Sequence, residues 1–393
     1  MGNPAWRFKG NELKYLEQVI GTGFRAGADG SFNEKLESEW SSIHDNKFSI
    51  TFNSCTSALH ASMLALDCGP GDEVLVPSLT PLMCGLTIHY TGATPVYVDS
   101  KLDTFLMDPS DLESKINEKT KAIKMVHMYG GVCNIKEIMN IAKKYNLPVV
   151  EDCAQGFWGR DDDNTITGTS GDICTWSFEN SKQLTSGDGG IASTNNEKLA
   201  EKLRKIGGLG FKNITASKGK IRIDRDLFQN PDWERFESIG YNFRMSELCA
   251  AVALAQAEQI DKYIDLRRLM GESYREVAKD SELVSPQFQP EGYKYTYYTF
   301  SMLFKGTNHN ISWHEFRKKH IENGGDGFFS AAKLLYQEPA FKNENIGLSK
   351  TPNSEFLQRN LMNLTTNQAN QDEVNIQVDA LRKTLKYFGD RIG

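Results

Sequence analysis

The sequence predicts an α/β fold: a large domain with a mostly parallel central sheet flanked by helices, plus a smaller C-terminal α+β domain. Two observations carry this reading. From about residue 50 to 195, short apolar strands alternate with amphipathic helices, the signature of a mostly parallel sheet. The chain has 393 residues, enough for a large core and two domains. We place the boundary near residue 260, giving a large domain over 1–260 and a small one over 261–393.

The elements follow in order. Phe48 to Phe52 reads as a strand, and Ala58 to Leu66 as the helix after it. Gly69-Pro70-Gly71-Asp72 turns the chain into the strand Glu73 to Val76. Thr94 to Asp99 and Ala122 to His127 are further strands. Ile135 to Tyr145 has apolar residues at 135, 138, 139, 141 and 142, one face of a surface helix. It feeds the strand Leu147 to Asp152. The stretch Gly210 to Gly240 is polar and without periodicity, and a segment that long is more often functional than idle. A helix rich in alanine and leucine is expected from about Ser246 through Arg268. Beyond it, Tyr293 to Phe304 is strand-like and Val378 to Phe388 helical.

Composition narrows the function. Lysine and arginine number 45 against 51 acids, a net charge of −6, which points to neither nucleic acid nor an anionic membrane. No apolar stretch reaches bilayer length, and the N-terminus lacks the apolar core of a signal peptide. A cytoplasmic protein is expected. The seven cysteines are odd in number and have no CxxC pair, so they read as reduced, mostly buried thiols. No metal site is expected.

Chemistry concentrates at Lys182, in the run Ser177 to Gly190, and at Asp152, thirty residues earlier at the end of a strand. Open parallel sheets present ligand groups at the carboxyl ends of their strands. A strand-terminal acid, then a serine and a lysine before a glycine-rich turn, is equipment for holding pyridoxal 5′-phosphate. The lysine amine forms a Schiff base with the cofactor aldehyde, and the acid keeps the pyridine nitrogen protonated. Once freed, the lysine amine can move a proton between substrate carbon and cofactor. Asn53 to Leu59 joins a strand to a helix, and Thr56 and Ser57 there suit the cofactor phosphate, aided by Ser177. Taken alone, that run is equally an ordinary N-cap. Gln155 can reach the ring hydroxyl. Asn242 and Arg244 precede a helix and, by themselves, are a plain helix start.

These segments, together with Val126 to Gly130 and Gly240 to Gln256, resemble in order the sugar aminotransferases of the DegT/DnrJ/EryC1/StrS family. The resemblance spans most of the first 260 residues and is loose in the C-terminal third. It implies the type I aminotransferase fold, a homodimer with active sites at the subunit interface, and a cycle through a pyridoxamine form. It implies that Lys182 and Asp152 are catalytic, that Thr56, Ser57 and Ser177 bind the phosphate, and that Gln155 approaches O3′. Asn242 would reach the neighbouring subunit's phosphate region. Glutamate would donate the amino group to a nucleotide-linked ketosugar, for aminosugar and surface-polysaccharide synthesis. A keto-cyclitol or non-nucleotide ketosugar is the alternative acceptor. Sugar dehydratases on this scaffold carry histidine in place of the lysine, so Lys182 argues against that class, and the intact residue set argues against a purely regulatory role.

Three departures are notable: Cys55 where the family has glycine or alanine, Pro81-Leu82-Met83 where it offers a ring to stack on the cofactor, and Leu361 to Thr365 in place of a proline-containing stretch. They suggest an outlying member with an unusual acceptor. Lys212, Lys218, Lys220, Arg222 and Arg225 could neutralise a nucleotide diphosphate, against the plainer reading of a solvated loop. Tyr293, Tyr295, Tyr297 and Tyr298 could stack on a base or sugar, though period-two alternation favours a half-buried strand.

Overall fold

The computed structural model describes residues 4–26, 30–219, 224–347 and 349–392, without the side chains of Pro4 and Arg225. Its first sheet has seven strands: β1 (Phe48–Phe52), β2 (Glu73–Pro77), β3 (Thr94–Val98), β4 (Thr120–Val126), β5 (Val149–Asp152), β6 (Ile173–Ser177) and β7 (Gly190–Thr194). The spatial order is β1-β7-β6-β5-β4-β2-β3. Strands β6, β5, β4, β2 and β3 are mutually parallel, and β7 runs against both of its neighbours. The mostly parallel sheet expected from the alternation is present. The strands β5, β6 and β7 are wholly buried, as befits a sheet covered by helices on both faces.

Four of the expected strands start and stop within two residues of the reading, and β1 and the helix Ile135–Tyr145 match it residue for residue. That helix buries Ile135, Ile138, Ile141 and Ala142. The helix read at Ala58 starts earlier, at Cys55, because the Ser54 side chain caps it by accepting from the Ser57 N–H.

Three expectations are corrected. The single helix from Ser246 to Arg268 is two helices, Glu247–Ala257 and Ile260–Ala278. No glycine or proline marks the break. Instead the Glu258 carboxylate is held by the Asn11 amide at 2.7 Å and the Tyr15 hydroxyl at 2.6 Å, both from the N-terminal helix region. Tyr293 to Tyr298 is not strand. The strand starts only at Thr299, because Tyr297 adopts φ 45° and Lys294 pairs with Arg160 instead. The segment after Gly210 is largely irregular, as read, but holds the short helix Arg225–Gln229.

The second sheet is antiparallel, with β8 (Val284–Pro286), β9 (Thr299–Phe304), β10 (Phe329–Ser330) and β11 (Leu361–Thr365) in the order β10-β11-β9-β8. The helix Gln371–Ile392 contains the predicted terminal helix and packs on Ile260–Ala278. No helix among the described residues is long and apolar enough to cross a membrane.

Candidate active site

Asp152 ends β5, and its register partner on β6 is Thr175, two residues before Ser177. Strand β6 then leaves the sheet and returns antiparallel as β7, with Ser177 opposite Gly190. Residues 178–189 form that connection, and Lys182 stands in it. Asp152, Ser177 and Lys182 are therefore set at one end of the central strands by strand order.

The fourth motif joins them through Gly190. A Cβ there would lie 2.4 Å from the Cys55 nitrogen and 2.6 Å from the Ser54 carbonyl carbon. Only glycine lets β7 pass so close to the start of the helix Cys55–Ala65. At that helix start Ser57 Oγ donates to Asn53 Oδ1 at 2.7 Å and lies 3.0 Å from Ser54 Oγ. The plain N-cap role thus falls to Ser54. The hydroxyl of Thr56 and the backbone N–H groups of Cys55 and Thr56 have no protein partner among the described residues. Free donors at a helix start suit an anion.

Asp152 is 2% exposed. Its Oδ1 accepts from the Ala154 N–H at 2.9 Å and its Oδ2 from the Cys84 thiol at 3.2 Å. Among the described residues, no lysine or arginine pairs with it. A buried carboxylate without a cation is costly, and a protonated pyridine would supply one. Behind Asp152, Glu151 is fully buried and bonds His127 Nε2 at 3.0 Å and the N–H groups of Gly168, Ser170 and Gly171. Burial pushes the Glu151 pKa up, but His127 and the backbone donors prevail and hold it near 2. His127 Nδ1 accepts from the Cys133 N–H, so its proton sits on Nε2, toward Glu151. His127, Glu151 and Cys153 stand close enough to hold a metal ion, yet these hydrogen bonds already occupy the ring and carboxylate, and the cluster reads as structural.

Gln155 is buried; its Oε1 accepts from the Tyr129 N–H at 2.7 Å, leaving its amide N–H groups to donate. Its carbonyl accepts from Gln183 Nε2 at 2.7 Å, which ties the Asp152 loop to the Lys182 loop. Ser177 is buried, and its Oγ accepts from the Glu179 N–H at 3.3 Å. Asn242 is exposed, beside the site rather than in it; its neighbour Phe243 accepts from the Asn53 N–H at 2.7 Å. All seven cysteines are free thiols.

Lys182 has neighbours that the sequence did not announce. The Tyr298 ring centroid is 4.5 Å from its Nζ, and the Tyr298 hydroxyl bonds Ser181 Oγ at 2.7 Å. Tyr298 thus faces the lysine. Gly130, at φ 87°, makes the approach possible: a Cβ there would be 2.4 Å from the Tyr298 nitrogen. Two arginines grip the lysine's backbone. Arg7 donates to the carbonyls of Lys182 at 2.6 Å and Gln183 at 2.9 Å. Arg267 donates to Tyr298 O and Thr366 Oγ1 and reaches the carbonyls of 181 and 182 at 3.5 Å. For Arg267 the sequence signal is a charge on an otherwise buried helix face, legible once the partner is known; Arg7 has no such signal. Lys212 pairs with Glu234 at 3.4 Å and so is not a free phosphate ligand, whereas Lys218 is exposed. Lys220, Arg222 and the Arg225 side chain lie outside the described residues.

An unpaired buried acid, an accessible lysine one strand away, spare amide donors and an unsatisfied helix start make a donor set that fits pyridoxal phosphate. Solved structures share the fold over nearly the full length. An aminotransferase from Psychrobacter cryohalolentis superposes with a TM-score of 0.84 at 25% identity, covering 97% of each chain. DesV of S. venezuelae, in complex with a ketimine intermediate, gives 0.81 at 24% identity over 96% of this chain and 94% of that one. The fold is that of the type I pyridoxal-phosphate aminotransferases. The protein is a pyridoxal-phosphate-dependent aminotransferase. Residues 7–382 match the model of the DegT/DnrJ/EryC1/StrS aminotransferase family, and the chain belongs to that family. Its relatives include the GDP-perosamine synthase of Escherichia coli O157:H7, 35% identical over 75% of each chain. That of Caulobacter vibrioides is 36% identical over 68% of this chain and 67% of its own.

Proposed function

We propose that the protein transfers an amino group from glutamate to the keto group of a nucleotide-linked sugar, making an aminosugar for surface polysaccharide. The acceptor class is supported by the likeness to two GDP-perosamine synthases over most of both chains. A GDP-linked ketosugar is accordingly the first acceptor to try. The single observation that carries the chemistry is the buried Asp152, without a cationic partner, one strand from the loop that bears Lys182.

In this reading the bound cofactor supplies an electron sink for deprotonation at the substrate carbon. The residues of the chain do the rest. Asp152 holds a proton on the ring nitrogen, and Gln155 donates to the ring hydroxyl. Thr56, Ser57 and Ser177 bind the phosphate at the helix start. Lys182 anchors the cofactor and then moves the proton at the substrate carbon. The Tyr298 ring packs against the amine at 4.5 Å, and Arg7 and Arg267 fix the lysine's backbone so that the amine returns to the same place.

The functional unit we propose is a homodimer in the cytoplasm, with Asn242 completing the partner's phosphate site. Support comes from the exposure of Asn242 together with Phe228, Phe236, Ile239 and Tyr241, a run of apolar side chains in the irregular segment. The test is spectral. Glutamate added to the purified, cofactor-loaded protein should remove the Schiff-base band and release 2-oxoglutarate, and a GDP-linked ketosugar should restore the band. A band that glutamate leaves unchanged would overturn the donor.

A further inference from the structure

Lys124 is a lysine in the middle of a buried strand. It lies on β4, is 0% exposed, and has Val150 of β5 as its register partner. No carboxylate pairs with it among the described residues. Its ammonium donates to the carbonyl of Cys84 at 2.9 Å and to Thr87 Oγ1 at 2.8 Å. Both acceptors are on the helix Leu82–His89, three residues apart and so on one face.

That helix is pinned in rotation from other directions. A Cβ on Gly85 would fall 2.6 Å from Leu335 Cδ1 and 3.1 Å from the Tyr97 hydroxyl. Within the helix, Thr87 Oγ1 donates to the Met83 carbonyl at 2.8 Å, which turns its lone pairs to the Lys124 ammonium. With the helix so fixed, the Cys84 thiol donates to Asp152 Oδ2 at 3.2 Å. Asp152 Oδ1 is taken by the Ala154 N–H, so the thiol is the second point that sets the plane of the carboxylate.

Burial lowers the pKa of Lys124, while the negative charge of Asp152 opposes this. The ammonium and the carboxylate therefore sense one another across the thiol. Burying an ammonium without a carboxylate partner costs several kcal/mol, which an apolar residue on β4 would avoid. The cost is intelligible if the lysine serves the site.

We propose that Cys84 is a positioning residue for Asp152, aiming its carboxylate at the cofactor ring nitrogen, and that Lys124 acts through Cys84 by holding its helix in place. The inference rests on the assignment of Asp152 to the ring nitrogen.

Two readouts test it. The first needs no cofactor: the infrared S–H stretch of Cys84 in the apoprotein, isolated as the difference between the unsubstituted chain and Cys84→Ala. A hydrogen-bonded band, below the free-thiol frequency and moved by Asp152→Asn, is expected; a band at the free-thiol frequency overturns the contact. The second is the affinity for pyridoxal phosphate itself, titrated by absorbance. A thiol is a weak donor, so its bond takes the ordinary net worth of a hydrogen bond and its loss predicts a Kd about three- to tenfold weaker in Cys84→Ala, with Cys84→Ser within about twofold of the unsubstituted chain. Lys124→Met should weaken binding similarly, but add little in the Cys84→Ala background.

An unchanged Kd in Cys84→Ala overturns the positioning role, and equal weakening by Lys124→Met in both backgrounds overturns the route through Cys84. Should Lys124→Met not fold, Thr87→Val removes one of the two lysine contacts and is read in the same cycle. If the unsubstituted chain does not bind pyridoxal phosphate, the cofactor reading falls and takes this one with it. Binding that is indifferent to Cys84 sinks this inference alone.

Discussion

Lys182 and Tyr298 meet face to amine at 4.5 Å, and that contact separates two substitutions. Tyr298→Phe keeps the ring and loses only the hydroxyl bond to Ser181, so kcat should fall less than about fivefold. Tyr298→Ala removes the ring face and frees the lysine side chain, and a fall of tenfold or more is expected. Steady-state rates on the pair check this; equal losses would show that the hydroxyl matters rather than the ring. Lys182→Ala should lower kcat at least about a thousandfold and abolish the Schiff-base band, since both anchoring and proton transfer are removed. Asp152→Asn removes the negative charge that we propose keeps the ring nitrogen protonated. A loss of about a hundredfold or more follows if that charge stabilises the transition state, while a near-normal rate would end the assignment. Asp152, Lys182, Gln155 and the serine and threonine hydroxyls could be proposed from the sequence because their motif spacing is local. Cys84, Arg7, Arg267 and Tyr298 could not, since each reaches the site from an element remote in sequence.

At the scale of elements, the close approaches are what hold the motifs together. Gly130 sits at φ 87°, with the backbone of Tyr297 and Tyr298 where a side chain would go. Gly130→Ala combines a strained conformation with a backbone clash and should cost about 2–4 kcal/mol. Denaturant melts measure the loss, and cofactor affinity should fall with it as Tyr298 is displaced. The helix Cys55–Ala65 depends on its cap: Ser54→Ala should cost about 1 kcal/mol, a smaller effect than the glycine change. Strand and helix limits were readable wherever apolar periodicity was clean, as at Phe48–Phe52 and Ile135–Tyr145. They were misread where side chains from elsewhere intervene, as at Glu258, or where one residue takes a positive φ, as at Tyr297.

For the whole molecule, stability should fall in acid by a route that can be traced. His44 and His320 are buried, and desolvation lowers each pKa from 6.5 to about 4. In the unfolded chain both would take up protons below about pH 6.5, so the stability they contribute is complete above that pH. It is lost as pH falls toward 4, by about 3 kcal/mol for each. Glu151, held near 2, adds a further loss below pH 4.5. Tm measured from pH 7 to 4 should drop steeply, and the drop should be shallower in His320→Leu; parallel curves would count against the histidine. Assembly is tested by Ile239→Asp, at a residue 92% exposed. If the segment docks on a second copy, the variant sediments as a monomer and loses activity.

The sequence by itself determined the fold class, the strand that carries Asp152, the loop that carries Lys182 and the cofactor they serve. All of these rest on local periodicity and on motifs within a few dozen residues. Only the tertiary structure decided what surrounds them: the thiol on Asp152, the aromatic face on Lys182 and the two arginines on its backbone. Those contacts are made by strand order and by helix packing between segments up to 176 residues apart. A local pattern carries no record of which distant side chain will fill a buried space; that is decided when the layers close and each polar group must find its partner.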